Sequence, residues 1–288
     1  MKNHRGRLFV VATPLGNLKD ITYRAAETLK SASLIAAEDT RRTKKLLSHL
    51  GIRVRVISCH EHNESKRVQL ILDCCEQGGD VVLVSDAGTP GISDPGAKVI
   101  GELRRAGIEI LPVPGPSAVA CALSVCGMKA DSYHFVGFLP SKKSDRIEAL
   151  KELAPMKCLL VFFESPYRIV DSLKDILHTL GDREAFLGRE MTKVHETYIS
   201  GKISEIITSL CTNKSVKGEI TLVVEGAKDL DDDEDVVPEK MEMLLLHLLQ
   251  GKKMSVKDAS SLLSDVCDIK KGSIYRLALD MQKRGEKQ

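Results

Sequence analysis

The chain has no tryptophan, and its 288 residues include only six phenylalanines and five tyrosines. So thin an aromatic complement argues against a base-stacking platform of the RNA-recognition-sheet type. Long apolar runs are missing as well. No stretch approaches the ~20 residues that a membrane-crossing helix requires, and LFVVA near the N-terminus is too short for a secretory core. A soluble, cytoplasmic protein is expected. Eight cysteines are present, at Cys59, Cys74, Cys75, Cys121, Cys126, Cys158, Cys211 and Cys267, yet no two are spaced C-x-x-C. Zinc ribbons and dithiol redox sites are thereby disfavoured. The apolar settings VACALSV and KCLLVFF read instead as free thiols in a reducing compartment. Net charge is small too, +2, so only a local clustering of charge would argue for a polyanionic partner.

What is present is a regular alternation. Buried-strand runs at Leu8–Ala12, Leu34–Ala37, Val54–Ser58, Val81–Ser85 and Ile108–Val113 alternate with helical patterns. Those helices cover Ile21–Ser31, the run TRRTKKLLSHL, a segment from the N-cap candidate Asn63 to Gly78, and Pro95–Arg105. Five such strands with helical crossovers predict an α/β fold built on an open, mostly parallel N-terminal sheet. A second α/β unit follows, with strands at Tyr133–Phe138, Cys158–Phe163, Ala185–Leu187, Thr197–Ser200 and Ile220–Val224 and a helix over Pro166–Leu180. The acidic run DLDDDEDVVPEK then reads as a solvated linker, and three apolar-periodic segments after it as a small helical appendage. Ser255 and Asp258 suggest a capping box for its middle helix. The expected division is 1–127, 128–228, a linker over 229–240 and the appendage over 241–288.

Ligands of an open parallel sheet bind outside the carboxyl ends of its strands. Three of those exits are dense in glycine, proline and small polar residues: TPLGN after the first strand, SDAGTPGISDPG after the fourth and PVPGPSA after the fifth. Glycines admit a ligand close to the backbone, and Asp86 and Asp94 could accept ribose hydroxyls or face a cation. Several common clefts are ruled out. No G-x-G-x-x-G follows the first strand, and no nucleophile elbow or H-E-x-x-H occurs. Gly91 to Lys98 imitates a Walker A loop, but Ala97 precedes the lysine and Val99 stands where Ser or Thr should be. His60-x-His62 lacks a third ligand, and no metal is expected. The exits of two other strands carry charge: Glu38-Asp39-Thr40-Arg41-Arg42, and Arg189, Glu190, Lys193 and His195. Each reads either as a solvated ion-pair surface or as a phosphate-gripping cluster.

The runs VATPLGNLKDIT, AAEDTRRT, SDAGTPGISDPG, VPGPSA, FVGFLP, FFESPYRI, REMTKVHET and KGEITLVVEG occur in order from Leu8 region to Gly226. Together they resemble the ribosomal RNA small-subunit methyltransferase I family of the tetrapyrrole-methylase superfamily. The resemblance implies a two-domain fold and a homodimer with S-adenosylmethionine bound between the domains. It also implies 2′-O-methylation of a cytidine in the decoding region of 16S rRNA, free or within the 30S subunit. By the same resemblance, donor contacts fall on Leu15, Asp86, Ala87, Gly88, Thr89, Ser117, Ala118, Phe163, Glu164, Glu219, Ile220 and Thr221. Phe163 stands where tyrosine is common, which removes a hydroxyl and keeps an apolar wall. RNA contacts would fall on Arg41, Arg42 and Arg189, and the catalytic-base candidates are Asp86, Glu190, Lys193 and His195. The competing readings are a tetrapyrrole C-methyltransferase of the uroporphyrinogen or precorrin type, and a non-catalytic ribosome-binding module.

Overall fold

Short apolar runs closed by glycine, proline or aspartate become strands, and the amphipathic segments between them become helices. The computed structural model describes residues 5–212, 217–228, 239–249, 254–267, 274–275, 277–279 and 281. Its first half alternates β1 (Leu8–Val11), α1 (Tyr23–Ser31), β2 (Leu34–Ala37), α2 (Thr40–His49), β3 (Val56–Ser58), α3 (Glu64–Glu76), β4 (Val81–Val84), α4 (Ala97–Arg105), β5 (Ile110–Val113) and α5 (Ala118–Val125). The five strands form one sheet in the order β3-β2-β4-β1-β5, with every pair parallel.

Alternation along each strand supplies two cores. Val82 and Val84 of β4 face α1 and α2 with Ala25, Leu29, Leu46 and Leu47. Val81 and Leu83 face α3 and α4 with Ile71, Cys75, Val99 and Leu103. Side chains two apart share a face, so a continuous apolar run serves both layers.

Some element ends differ from the sequence reading. β5 starts at Ile110, not Ile108, because the Ile108 amide is taken by the Leu103 carbonyl at the end of α4 (3.0 Å). β3 likewise starts at Val56, opposite Ile35 near the beginning of its only partner strand. Thr22, Asp39 and Ser117 cap α1, α2 and α5 through their side chains. Asn63 does not cap α3. It occupies the N-cap position, but its Oδ1 accepts from the His60 amide and its Nδ2 donates to Ser58 Oγ. α4 begins at Ala97, not Pro95, because Gly96 is at φ 131° and gives its N–H to the buried Glu64 carboxylate (2.6 Å).

The second sheet is mixed. Its strands are β6 (Tyr133–Phe138), β7 (Leu159–Glu164), β8 (Glu184–Arg189), β9 (Thr197–Lys202) and β10 (Ile220–Val224), in the order β6-β7-β10-β8-β9. Only β6 and β7 run parallel. Helices α6 (Lys143–Leu153), α7 (Ile169–Leu180) and α8 (Ile203–Thr212) cover one face. The other face is covered by α5, whose Val119 and Ala122, with Cys126 at its C-terminal end, pack against Val161, Phe186 and Val223. The helix that leaves the first sheet therefore completes the core of the second.

Residues Lys228–Gln288 form a second compact unit. It contains α9 (Glu239–Leu249) and α10 (Val256–Cys267), and its buried residues include Leu245, Ala259, Leu263, Ile274 and Ala278. Ser255 Oγ accepts from the Asp258 amide, as a cap should, but the Asp258 carboxylate returns to the Ser255 hydroxyl and not to its amide. Most of the expected acidic linker, 229–238, lies outside the described residues. Among the described residues, no helix is long and apolar enough to cross a membrane.

Candidate active site

β4, β1 and β5 are neighbours, so their three glycine-rich exits leave the sheet side by side. Hydrogen bonds stitch them together. Thr13 and Gly88 exchange backbone bonds across the first two loops (2.8 and 2.9 Å), and the Thr13 hydroxyl donates to the Ser85 carbonyl. Thr89 Oγ1 donates to the Pro116 carbonyl at 3.3 Å, tying the second loop to the third. Gly88 takes φ 79° to make this bridge. That is a conformation side chains with a Cβ rarely adopt.

The second sheet brings one end of its strands to the same place. Ile220 and Thr221 at the start of β10 pair with Glu164 and Phe163 at the end of β7, and Ile220 also pairs with Arg189 at the end of β8. Between the two sheets lies a cavity of about 290 Å³. From the first sheet it is lined by Leu15, Glu38, Arg42, Asp86, Ala87, Gly88, Thr89, Ile92, Ser93, Asp94, Ser117, Ala118 and Val119. From the second it is lined by Phe138, Phe163, Glu164, Glu219, Ile220 and Thr221. Phe138 and Phe163 meet edge to face, 5.8 Å between centroids, and form an aromatic wall.

Five carboxylates on that lining, Glu38, Asp86, Asp94, Glu164 and Glu219, set its electrostatics. Asp86 Oδ1 accepts from the Asp39 amide (2.9 Å), and its Oδ2 lies 3.4 Å from Arg42. Glu38 accepts from the Asp86 amide, and burial pushes its carboxyl upward. Asp94 is pushed up to about 6 by burial and by the charges of Glu38, Asp86 and Glu219, against a hydrogen bond from Ser85. Glu164 is buried, accepting from the Ser165 amide and the Ser172 hydroxyl. Beside the cavity, Lys193 bridges Glu190 (2.8 Å) and Glu219 (3.1 Å) and packs over Gly16. Burial opposes charge on Lys193 and on Glu190, but their mutual contacts prevail: the lysine is raised and the glutamate lowered.

The chain has relatives among known proteins. Residues 7–207 match the family model of tetrapyrrole (corrin/porphyrin) methylases. The ribosomal RNA small subunit methyltransferase I of Vibrio cholerae is 42% identical over 275 residues, covering 95% of this chain and 94% of that one. This chain belongs to the same family, the small-subunit methyltransferases I within the tetrapyrrole methylases. The Thermotoga maritima relative of the same name is 48% identical over 77% of this chain and 99% of its own. A cobalt precorrin-4 methyltransferase of cobalamin biosynthesis shares the fold at 20% identity (TM-score 0.58, 75% of this chain and 94% of that one).

Against this methylase fold, the residues singled out in the sequence separate into two groups. All twelve positions assigned by resemblance to the donor line the cavity, and Arg42 lines it too. Glu190, Lys193, His195, Arg41 and Arg189 do not. Glu190 and Lys193 stand one residue contact behind the lining, through Glu219. Arg189 donates to Thr197 and to the Lys217 carbonyl and is not paired with Glu190. His195 is exposed. Reading the sequence missed Glu38, Ile92, Ser93, Val119 and Phe138 as lining residues. Ser93 left a signal only in the backbone: with Glu190 and Thr192 it is one of three non-glycine residues at positive φ among those described.

The raised Asp94 carries a stability consequence. Its native carboxyl holds a proton more tightly than in the unfolded chain, so its contribution is full below about pH 4 and is lost as pH rises through about 6. Asp94→Asn should therefore be more stable than the parent at pH 8, by about 1–2 kcal/mol after allowing for solvent screening. Denaturant titration should find that gain shrinking towards zero by pH 4. A gain independent of pH would contradict the placement of this carboxylate among like charges.

Proposed function

We propose that the chain transfers a methyl group from S-adenosylmethionine to the ribose 2′-oxygen of a cytidine in the decoding region of 16S rRNA, as a cytoplasmic homodimer. The substrate is the rRNA itself or the 30S subunit. The observation that carries this reading is the single cavity where three loops of the first sheet meet the strand ends of the second, in a chain whose near-full-length relatives are named small-subunit rRNA methyltransferases. The cobalt precorrin-4 methyltransferase shares the fold, but at 20% identity against 42% for the Vibrio cholerae rRNA methyltransferase. In domain terms, 1–127 supplies the loops and 128–228 closes over them, with 229–240 leading to the 241–288 appendage.

The lining suits such a donor. A volume of about 290 Å³ lies at the lower end of small-ligand sites. Phe163, Val119 and Ile220 offer apolar surface for a purine, and the small residues Ala87, Gly88 and Ala118 let it approach the backbone. Glu38, Asp86, Asp94 and Glu219 give the cavity a negative field suited to a sulfonium. Leu15, Asp86 to Thr89, Ser117, Ala118, Phe163, Glu164 and Glu219 to Thr221 would hold it. When bound, the donor supplies an activated methyl group for in-line transfer to oxygen, with a thioether leaving. The residues contribute alignment and exclusion of water. Of the four base candidates, Asp86 is the one on the lining. Lys193 is held protonated by its two glutamates and is a cation at neutral pH.

Incubating the protein with labelled donor and 30S subunits from a strain lacking the modification should label one cytidine 2′-oxygen. Label appearing on a porphyrin precursor and not on subunits would overturn the reading. Asp86→Asn keeps an acceptor for the Asp39 amide and removes the charge. It should raise the donor's Kd about tenfold, or roughly 1.4 kcal/mol. Calorimetry finding unchanged affinity would count against this assignment.

A further inference from the structure

Between Thr40 and His60 the sequence holds six lysines and arginines and no aspartate or glutamate, in a chain whose net charge is only +2. The fold gathers these residues on one rim of the first sheet. α2 exposes Arg41, Arg42, Lys44 and Lys45, and the edge strand β3 is entered through exposed Arg53 and Arg55. Lys44, Arg53 and Arg55 line an open groove of about 620 Å³ over Leu47, Ile52 and Val54. Arg41 is engaged by Asp39 and Arg42 by Asp86. Lys44, Lys45, Arg53 and Arg55 have no carboxylate partner among the described residues.

Edge strands often carry cations only to discourage pairing with another chain. That role requires no second row of charge, yet here a helix lysine faces the same groove as the strand arginines. Like charges within a Debye length of about 8 Å repel one another unless a polyanion neutralises them. Helix α2 connects the groove, which its Lys44, Leu47 and Ser48 line, with the cavity. Lys44 lies two residues along α2 from Arg42, which lines it, and the whole of Thr40–His49 spans about 15 Å at 1.5 Å per residue.

We propose that this groove binds the phosphate backbone of the RNA substrate and leads it to the cavity mouth, an inference that rests on the rRNA-methyltransferase reading. It has no aromatic lining for stacking. Its part is therefore to position the strand through phosphate contacts, and base selection lies elsewhere.

The test compares full-length parent, Lys44→Ala/Arg53→Ala/Arg55→Ala, and a charge-matched control, Lys129→Ala/Lys151→Ala/Lys174→Ala, whose sites are exposed on the other half of the fold. With unmodified 30S subunits and labelled donor, the groove variant should show a subunit KM raised at least tenfold. Its kcat should stay within twofold of the parent and its donor Kd should be unchanged. Three lost phosphate contacts should flatten the slope of log affinity against log salt by about 2. The control should match the parent. A groove variant with parental KM and salt slope, or one no worse than the control, overturns the proposal. Equal binding of groove variant and parent to protein-free 16S rRNA, with a difference only on subunits, also overturns it and points to an acidic ribosomal protein. Should the parent methylate nothing, the activity reading fails, and binding to protein-free rRNA then decides the groove alone.

Discussion

Gly88→Val should weaken donor binding at least thirtyfold and reduce methyl transfer in proportion. Gly88 sits at φ 79° in the bridge that joins the first two loops, and a Cβ there would stand 3.4 Å from Leu15 Cδ2. A β-branched residue in that region is strained by about 1–3 kcal/mol. Its methyl groups must also displace Leu15 or occupy the cavity that both residues line. Each 1.4 kcal/mol is tenfold in affinity, so strain and steric loss together account for the expected drop. Gly181→Ala is the comparison. Gly181 has φ 86° with open space around its missing Cβ, so the substitution costs stability through backbone strain alone. Titration calorimetry should find its donor affinity unchanged. Equal effects from the two substitutions would mean that general strain, and not the loop bridge, governs binding.

Arg146→Ala should lower unfolding free energy by about 3 kcal/mol, near the bottom of the range for removing one partner of a buried ion pair. Arg146 and Asp175 are 7% and 9% exposed and meet through two nitrogens at 2.6 and 2.8 Å. Lys143 lies 3.7 Å from the same carboxylate and moderates the loss. The pair also bears on the cavity wall. Arg146 donates to the Pro140 and Ser141 carbonyls, and Arg168 donates to Leu139 and Pro140, so two guanidiniums hold the segment that follows Phe138. Urea unfolding should report the stability loss, and the paired replacement Arg146→Met/Asp175→Leu should recover most of it, because no buried charge is then left unmatched. A single-variant loss under 1 kcal/mol would show that water or Lys143 replaces the arginine.

The first sheet was legible because its chemistry is local. A run such as VVLV has only one economical use, a strand buried on both faces, and the glycines and prolines at its exits mark where the chain must turn. Strand ends were less legible. Ile108 is as apolar as Ile110, but a helix carbonyl takes its amide. Asn63 has the composition of a cap, yet it bonds backwards to Ser58 and His60. Composition states what a side chain can bond, whereas the competition for it is decided by neighbours distant in sequence.

The cavity shows the same division. The three loops and their likeness to a methylase could be read from the residues themselves, since glycine, proline and aspartate at strand exits carry their meaning in short words. That Glu38, Val119 and Phe138 complete the lining, and that Lys193 is locked between Glu190 and Glu219, could not. These residues come from the exit of β2, α5, β6 and the segments around β8 and β10, whose approach depends on α5 packing across the second sheet. Local propensity and patterning therefore determined the elements and the chemical type of the loops. Only tertiary packing decided which charges share a low-dielectric cleft, because burial and proximity are properties of the folded chain and not of any one segment.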